Sequence, residues 1–161
     1  MQPKEIKWPK HLPFFYLILF FTFLFDRLTK WLAVNFWQEG FFVWPDFWQV
    51  KLYQNNNLPF NLPVSYPLNL ILIIPIFLIV IYFLVHSWQR KQTGLIMAFS
   101  LVTFGAFSNL LDRFRYGFVI DFINLDFGLF ANPAFNLADL LICAGLVLLI
   151  ILLFSQKKEP I

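Results

Sequence analysis

Two aspartates stand apart from the other ionisable residues of this chain. Asp121 lies in the apolar stretch 118–123, with no basic residue within five positions on either side. Asp139 comes just before a fully apolar run, 140–154. Two desolvated carboxylates that meet would raise each other's proton affinity, so that one stays ionised while the other is protonated. An aspartic protease uses this arrangement, because the carboxylate activates water and the acid protonates the carbonyl oxygen of the substrate.

The residues alone leave three interpretations of this pair open. If Asp121 and Asp139 are a catalytic pair, their carboxyl groups should lie roughly 3–6 Å apart and share one water. If they relay protons, the protein is a small proton-coupled carrier, which should show inverted repeats or broken helices; the sequence has no internal repeat. If the polar residues only join helices, the protein is a non-catalytic assembly subunit.

Further polar residues gather at the ends of the neighbouring apolar runs. Asp26 and Lys30 are four positions apart and should pair on one helix face. Asp112 precedes Arg113, and we expect these two to pair as well. Asp121 and Asp139 therefore differ from Asp26 and Asp112 in having no local counter-ion.

One helical stripe carries several of these residues. Asn109, Asp112 and Arg113 are spaced at i, i+3 and i+4, and Gly105 continues the stripe in the direction of the N-terminus. Such a stripe must face protein or water rather than lipid. A scaffold role and contact with a ligand are equally compatible with this spacing. Asn136 begins the fourth apolar run, where an asparagine commonly starts a helix or joins two helices.

The composition limits the classes of protein to which this chain can belong. Of its 161 residues, 60% are hydrophobic and 13% are charged, and the net charge is +3. Soluble domains have about 45–50% apolar and about 25% charged residues, so a soluble enzyme and a nucleic-acid binder are both disfavoured. The single cysteine, Cys143, excludes an internal disulfide and any site with several cysteine ligands. We therefore expect no metal and no cofactor.

Four apolar runs predict an all-α membrane protein with four transmembrane helices. The predicted helices are 12–34, 67–85, 93–111 and 136–154, and the outer segments between them are 35–66 and 112–135. Alternating residues in 48–54 and the β-prone stretch 41–44 predict a small β-cradle between the first and second helices. We expect one integral-membrane domain over 1–161.

The lysines and arginines predict how the chain sits in the membrane. With the N-terminus inside, the inner segments contain seven lysines and arginines and the outer side contains five. Both termini are therefore expected in the cytoplasm, with the polar residues near the outer leaflet. The first run follows a basic segment, as in a signal peptide, but no small-x-small cleavage site follows it. We interpret it as a retained helix.

Four motifs in this order resemble lipoprotein signal peptidase, also called signal peptidase II. They are Asp26-Arg27-Leu28-Thr29-Lys30, Gly105-Ala106-Phe107-Ser108-Asn109-Leu110-Leu111-Asp112-Arg113, Val119-Ile120-Asp121-Phe122 and Pro133-Ala134-Phe135-Asn136-Leu137-Ala138-Asp139. The resemblance extends from the first predicted helix to the fourth. Two family motifs differ here, since Asn57, Phe104 and Ser108 stand where the family usually has glycine. We expect these differences to affect substrate fit rather than the chemistry.

The resemblance implies an intramembrane aspartic endopeptidase of the bacterial cytoplasmic membrane. Such enzymes remove the signal peptide of a prolipoprotein by cleaving before its diacylglyceryl-modified cysteine. The implied catalytic pair is Asp121 and Asp139. The implied substrate-binding residues are Asn55, Asn109, Arg113 and Asn136, and the implied polar framework is Asp26, Lys30, Gly105 and Asp112. The expected partners are the prolipoprotein and membrane lipids, with no nucleic acid, and the protein is expected to be a monomer.

Overall fold

Four long helices and a three-stranded sheet make up the fold. The computed structural model describes residues 8–57, 67–128 and 134–156. Its elements are α1 (Leu12–Phe36), β1 (Phe41–Trp44), β2 (Trp48–Asn55), α2 (Leu68–Gln89), α3 (Thr93–Tyr116), β3 (Val119–Leu125) and α4 (Leu137–Gln156). Within these residues, four helices are long and apolar enough to cross a membrane. The predicted fold class is confirmed.

The helices begin within one residue of the predicted positions and end later. The largest difference is at α3, which continues five residues beyond the predicted end and stops at Gly117. Gly117 has φ +82°, a left-handed conformation in which glycine commonly ends a helix. The extra turn brings Arg113 into the helix proper and starts β3 directly after it.

One strand of the sheet comes from a segment that was not predicted to form a strand. Its order is β1-β2-β3, and both pairings are antiparallel. β1 and β2 lie in the predicted β-cradle between α1 and α2, but β3 comes from the segment between α3 and α4. In the β2–β3 register, Tyr53 lies opposite Asp121 and Asn55 lies opposite Val119. The cradle therefore joins the two outer segments and contains Asp121.

Close packing of α3 against α4 depends on two glycines. A Cβ on Gly105 would lie 2.4 Å from the carbonyl oxygen of Ala138, and one on Gly145 would lie 2.7 Å from that of Ala98. Small residues let helix backbones approach in this way within membranes. Gly105 thus places the first turn of α4 directly against α3.

Some predictions fall outside the described residues. These concern the first residue of the fourth motif and basic residues near both termini, namely Pro133, Lys4, Lys7, Lys157 and Lys158.

Candidate active site

The first turn of α4 is held by a reciprocal pair of hydrogen bonds. The backbone N–H of Asp139 donates to Asn136 Oδ1 at 3.0 Å, and the backbone N–H of Asn136 donates to Asp139 Oδ2 at 3.1 Å. This is the geometry of a capping box, in which a residue before the helix and one in its first turn cap each other. The sequence Asn136-x-x-Asp139 therefore fixes the position of the Asp139 carboxylate.

Asp121 is brought to the same place by β3. Its side chain is buried, at 1% exposure. Asn136 Nδ2 donates to Asp121 Oδ1 at 2.6 Å, and Asn55 Nδ2, from the end of β2, donates to Asp121 Oδ2 at 2.8 Å. Asn136 therefore binds both aspartates, Asp121 through its side-chain amide and Asp139 through its side chain and backbone.

The two asparagines around Asp121 have fixed amide orientations. Asn55 Oδ1 accepts a hydrogen bond from the backbone N–H of Asn57 at 3.0 Å. Asn136 Oδ1 is occupied by the Asp139 backbone N–H. A backbone N–H can only donate, so in both asparagines the NH₂ group must face Asp121.

The pKa of Asp121 is raised from 3.8 to about 7. Burial is the main cause, because it disfavours the charged form, and the nearby charge of Asp139 adds to it. The hydrogen bonds from Asn55 and Asn136 act in the opposite direction, since they stabilise the carboxylate. Asp121 can therefore hold a proton near neutral pH.

Asp139 has a second partner, which lies on α3. Asn109 Nδ2 donates to Asp139 Oδ1 at 2.8 Å, and Lys30 Nζ of α1 donates to Asn109 Oδ1 at 2.7 Å. Both oxygens of Asp139 thus accept hydrogen bonds. Three elements (β3, α3 and α4) meet at two acidic side chains, which is an arrangement able to deliver and accept protons at one bound group.

A buried ion cluster lies beside the two aspartates. Lys30 Nζ lies 3.2 Å from Asp26 Oδ2 and 2.8 Å from Asp112 Oδ2, and Arg27 Nη1 lies 2.6 Å from Asp112 Oδ1. Asp26, Lys30 and Asp112 have no exposed side-chain surface. Two carboxylates are thus balanced by two cations, as burial in a poorly solvated region requires.

Comparison with known proteins identifies the family of this chain. A family model described as signal peptidase (SPase) II matches residues 18–155. A lipoprotein signal peptidase from Pelodictyon phaeoclathratiforme is 31% identical over 158 residues, which cover 91% of this chain and 92% of the relative. One from Aquifex aeolicus is 36% identical over 140 residues, which cover 84% and 83%. This chain belongs to the signal peptidase II family.

Solved structures agree with this family membership. A bacterial membrane enzyme determined by the in meso method at 2.3 Å resolution has a TM-score of 0.77 and 25% identity. The match covers 93% of this chain and 95% of that chain. A second bacterial membrane enzyme, determined at 1.9 Å, has a TM-score of 0.73 and 26% identity. The signal peptidase II family is a family of proteases, and the resemblance noted in the sequence is thereby confirmed.

The expected pairing of Asp112 with Arg113 is wrong. Asp112 binds Arg27 and Lys30 instead, and Arg113 Nη2 donates to the backbone carbonyl of Asn57 at 3.0 Å. The reason is geometric, because adjacent residues on a helix point in directions that do not face each other. The predicted pair of Asp26 with Lys30, at i and i+4, is present.

The sequence did not indicate that Arg27 and Ser108 would contact each other and the carboxylates of the ion cluster. Ser108 Oγ donates to Asp26 Oδ2 at 2.5 Å and accepts from Arg27 Nη1 at 3.0 Å. Arg27 and Ser108 lie on different helices and 81 positions apart. The only signal in the sequence was that both fall within motifs of the family.

Of the implied substrate-binding residues, Asn55, Asn109 and Asn136 bind the aspartates directly, and Arg113 binds the backbone carbonyls of Asn57 and Asn109. Asn109, Arg113 and Asn136 are buried, while Asn55 is partly exposed. In Asn136 both polar side-chain atoms bind protein groups, and the same holds for Asn109. The contacts of Asn109 and Asn136 position Asp121 and Asp139, and a role of these asparagines in substrate binding stays a prediction.

Proposed function

We propose that this chain is an aspartic endopeptidase that removes the signal peptide of diacylglyceryl-modified prolipoproteins. The observation that carries the proposal is the convergence of Asp121 and Asp139 on Asn136. Membership of the signal peptidase II family supports the type of reaction. The names of the relatives support a lipoprotein as the substrate.

The proposed reaction needs one proton shared between the two aspartates. Asp139, as carboxylate, takes a proton from a water molecule while the water oxygen attacks the scissile carbonyl carbon. Asp121, as acid, gives its proton to the carbonyl oxygen. When the tetrahedral intermediate collapses, Asp121 takes back the proton of one hydroxyl group, the C–N bond breaks, and the departing nitrogen takes the proton held by Asp139. The products are a signal peptide with a new carboxyl terminus and a lipoprotein that begins with the modified cysteine.

The assignment of acid and base rests on the surroundings of each group. The raised pKa of Asp121 suits an acid near neutral pH. Both aspartates accept N–H donors at both oxygens, but only Asp139 lies in the first turn of a helix, where the helix dipole favours a carboxylate.

The proposed site lies near the outer leaflet, and both termini lie in the cytoplasm. Trp8 packs against Trp88 with ring centroids 5.0 Å apart, so the start of α1 and the end of α2 share one end of the bundle. Asp121 and Asp139 lie at the other end, where the cradle is. The greater number of basic residues in the segments at the Trp8 end supports placing that end inside.

Cleavage of a lipid-modified substrate tests the proposal. The purified protein, in vesicles, is given a prolipoprotein carrying diacylglyceryl-modified cysteine and, separately, the same chain without the lipid. We expect cleavage of the modified chain alone, and mass spectrometry should find the modified cysteine at the new N-terminus. The proposal fails if neither chain is cleaved or if the bond broken lies elsewhere. Proton transport by these vesicles, without cleavage, would favour a carrier instead.

A further inference from the structure

Lys30 contacts neither proposed catalytic residue directly, yet it lies one side chain away from Asp139. Its Nζ binds Asn109 Oδ1 at 2.7 Å, and Asn109 Nδ2 binds Asp139 Oδ1 at 2.8 Å. We propose that Lys30 is a positioning residue, which orients the Asn109 amide so that its NH₂ group always faces Asp139. This inference rests on the proposed function, since it concerns how the proposed base is held.

The ammonium group decides the orientation of the amide. An asparagine side chain can turn by 180° and exchange its oxygen and nitrogen, but a lysine ammonium group has only donors. Lys30 and Asn136 both donate to Asn109 Oδ1, at 2.7 and 3.2 Å. A turned amide would place its NH₂ against these two donors and its oxygen against the Asp139 carboxylate. All three hydrogen bonds would be lost, so only one orientation remains.

Lys30 itself has no freedom to move. Its ammonium group has three N–H donors and three acceptors around it, which are Asp26 Oδ2 at 3.2 Å, Asp112 Oδ2 at 2.8 Å and Asn109 Oδ1 at 2.7 Å. The side chain has no exposed surface. The ion cluster therefore does more than balance charge. Its two carboxylates bind two N–H groups of Lys30, so that the third N–H points to Asn109.

Arg27 provides a matched control. Arg27 and Lys30 both pair with Asp112, so Arg27→Met and Lys30→Met each remove one cation from the same carboxylate. Arg27 donates hydrogen bonds to Ser108 and Asp112. Both variants should lower the yield and the thermal stability of the protein, and only Lys30→Met should release the Asn109 amide.

The first measurement is cleavage of the diacylglyceryl-modified prolipoprotein, normalised to folded enzyme in vesicles. Lys30→Met should lower kcat about 10–100-fold with KM little changed, because a misplaced base acts on bound substrate. Arg27→Met should keep kcat within about threefold of wild type. Lys30→Met should also add no further loss in an Asn109→Ala background, where no amide is left to orient. Equal loss in Lys30→Met and Arg27→Met, or additive loss with Asn109→Ala, would overturn the inference.

A second measurement does not depend on activity. The side-chain amide ¹⁵N–¹H signals of Asn109, assigned through Asn109→Ala, are recorded for wild type and for both methionine variants in detergent. Lys30→Met should shift these signals and Arg27→Met should leave them in place. Unchanged Asn109 signals in folded Lys30→Met would show that Lys30 does not orient the amide. Absence of wild-type cleavage would count against the proposed function alone, because the amide signals still test the contact.

Discussion

Asn136 and Asp139 hold each other by two hydrogen bonds that run in opposite directions. The backbone N–H of each donates to a side-chain oxygen of the other, at 3.0 and 3.1 Å. The Asn136 NH₂ group remains for Asp121, to which it donates at 2.6 Å. One residue thus has two separable tasks, capping α4 and holding Asp121.

Substitutions of Asn136 should separate these two tasks. Asn136→Ser keeps an oxygen that can cap the Asp139 backbone N–H but loses the donor to Asp121. Loss of this buried donor should lower the free energy of unfolding by about 1–3 kcal/mol, and cleavage per folded enzyme should fall by about 10-fold or more. Asn136→Ala loses both tasks and should cost a further ~1 kcal/mol of folding free energy, the usual value of an N-cap. Equal activity in wild type and Asn136→Ser would show that the contact with Asp121 is dispensable.

The raised pKa of Asp121 predicts a particular dependence of stability on pH. Between about pH 4 and pH 7 the native state keeps the Asp121 proton, whereas the unfolded state, with an ordinary pKa near 3.8, releases it. This contribution to the free energy of unfolding is complete at low pH and is lost as pH rises towards 7. Asp121→Asn removes this contribution. The melting temperature of wild type should therefore fall relative to that of the variant as the pH rises.

Asp46→Asn is the control for this measurement. Asp46 is exposed on the turn between β1 and β2 at φ +58°, which asparagine tolerates. The difference in melting temperature between Asp46→Asn and wild type should not follow the trend of Asp121→Asn. A constant difference for Asp121→Asn from pH 5 to about pH 8 would contradict the raised pKa. Cleavage by wild type should also decline above about pH 7, as Asp121 loses its proton.

The ion cluster should be a scaffold, unlike the pair Asp121 and Asp139. Asp26 accepts hydrogen bonds from Ser108 and from the backbone N–H of Ala138, and it pairs with Lys30. Asp26→Ala leaves a buried cation with one partner fewer, which costs about 3–5 kcal/mol. Thermal unfolding in detergent should therefore show a much larger loss for Asp26→Ala than for Asp121→Asn. Similar losses would make Asp121 a structural anchor.

Ser108 should stabilise this chain although the family usually has glycine at this position. Its hydroxyl is buried and donates to the charged Asp26, so Ser108→Ala should cost about 1.5–3 kcal/mol. Ser108→Gly should cost about 1 kcal/mol more, because glycine weakens a helix interior. Ser100 on the same helix is the control, since its hydroxyl meets only the neutral Tyr16 at 2.8 Å. Ser100→Ala should therefore cost less than Ser108→Ala, and the reverse order in chemical denaturation would contradict the role of Ser108.

The parts of the fold with a local period could be predicted from the sequence. Each helix lies on one apolar run, and β1 and β2 follow stretches that are β-prone or alternate. β3 could not be found in this way, because the residues around Asp121 are apolar on both sides of the strand and show no alternation. Its burial pattern explains this, since Val119 to Phe122 are all buried.

In the candidate site, too, contacts set by local spacing could be predicted, whereas contacts set by the packing of distant elements could not. The pair Asp26–Lys30 depends only on helical spacing and was predictable. The pair Arg27–Asp112 joins residues 85 positions apart and depends on how α1 packs against α3. The two aspartates were found because they lacked local counter-ions, but the sequence could not show that Asn136 joins them. That contact requires β3 to lie against the start of α4.

Cleavage by the two single aspartate variants tests the central claim most directly. Wild type, Asp121→Asn, Asp139→Asn and the control Asp46→Asn are purified in folded form, and the rate of cleavage of diacylglyceryl-modified prolipoprotein is measured for each. If Asp121 and Asp139 act as one acid and one base, each single variant should lose cleavage by about 10³-fold or more, and Asp46→Asn should cleave at the wild-type rate. A folded Asp121→Asn or Asp139→Asn enzyme that cleaves at close to the wild-type rate would contradict the account.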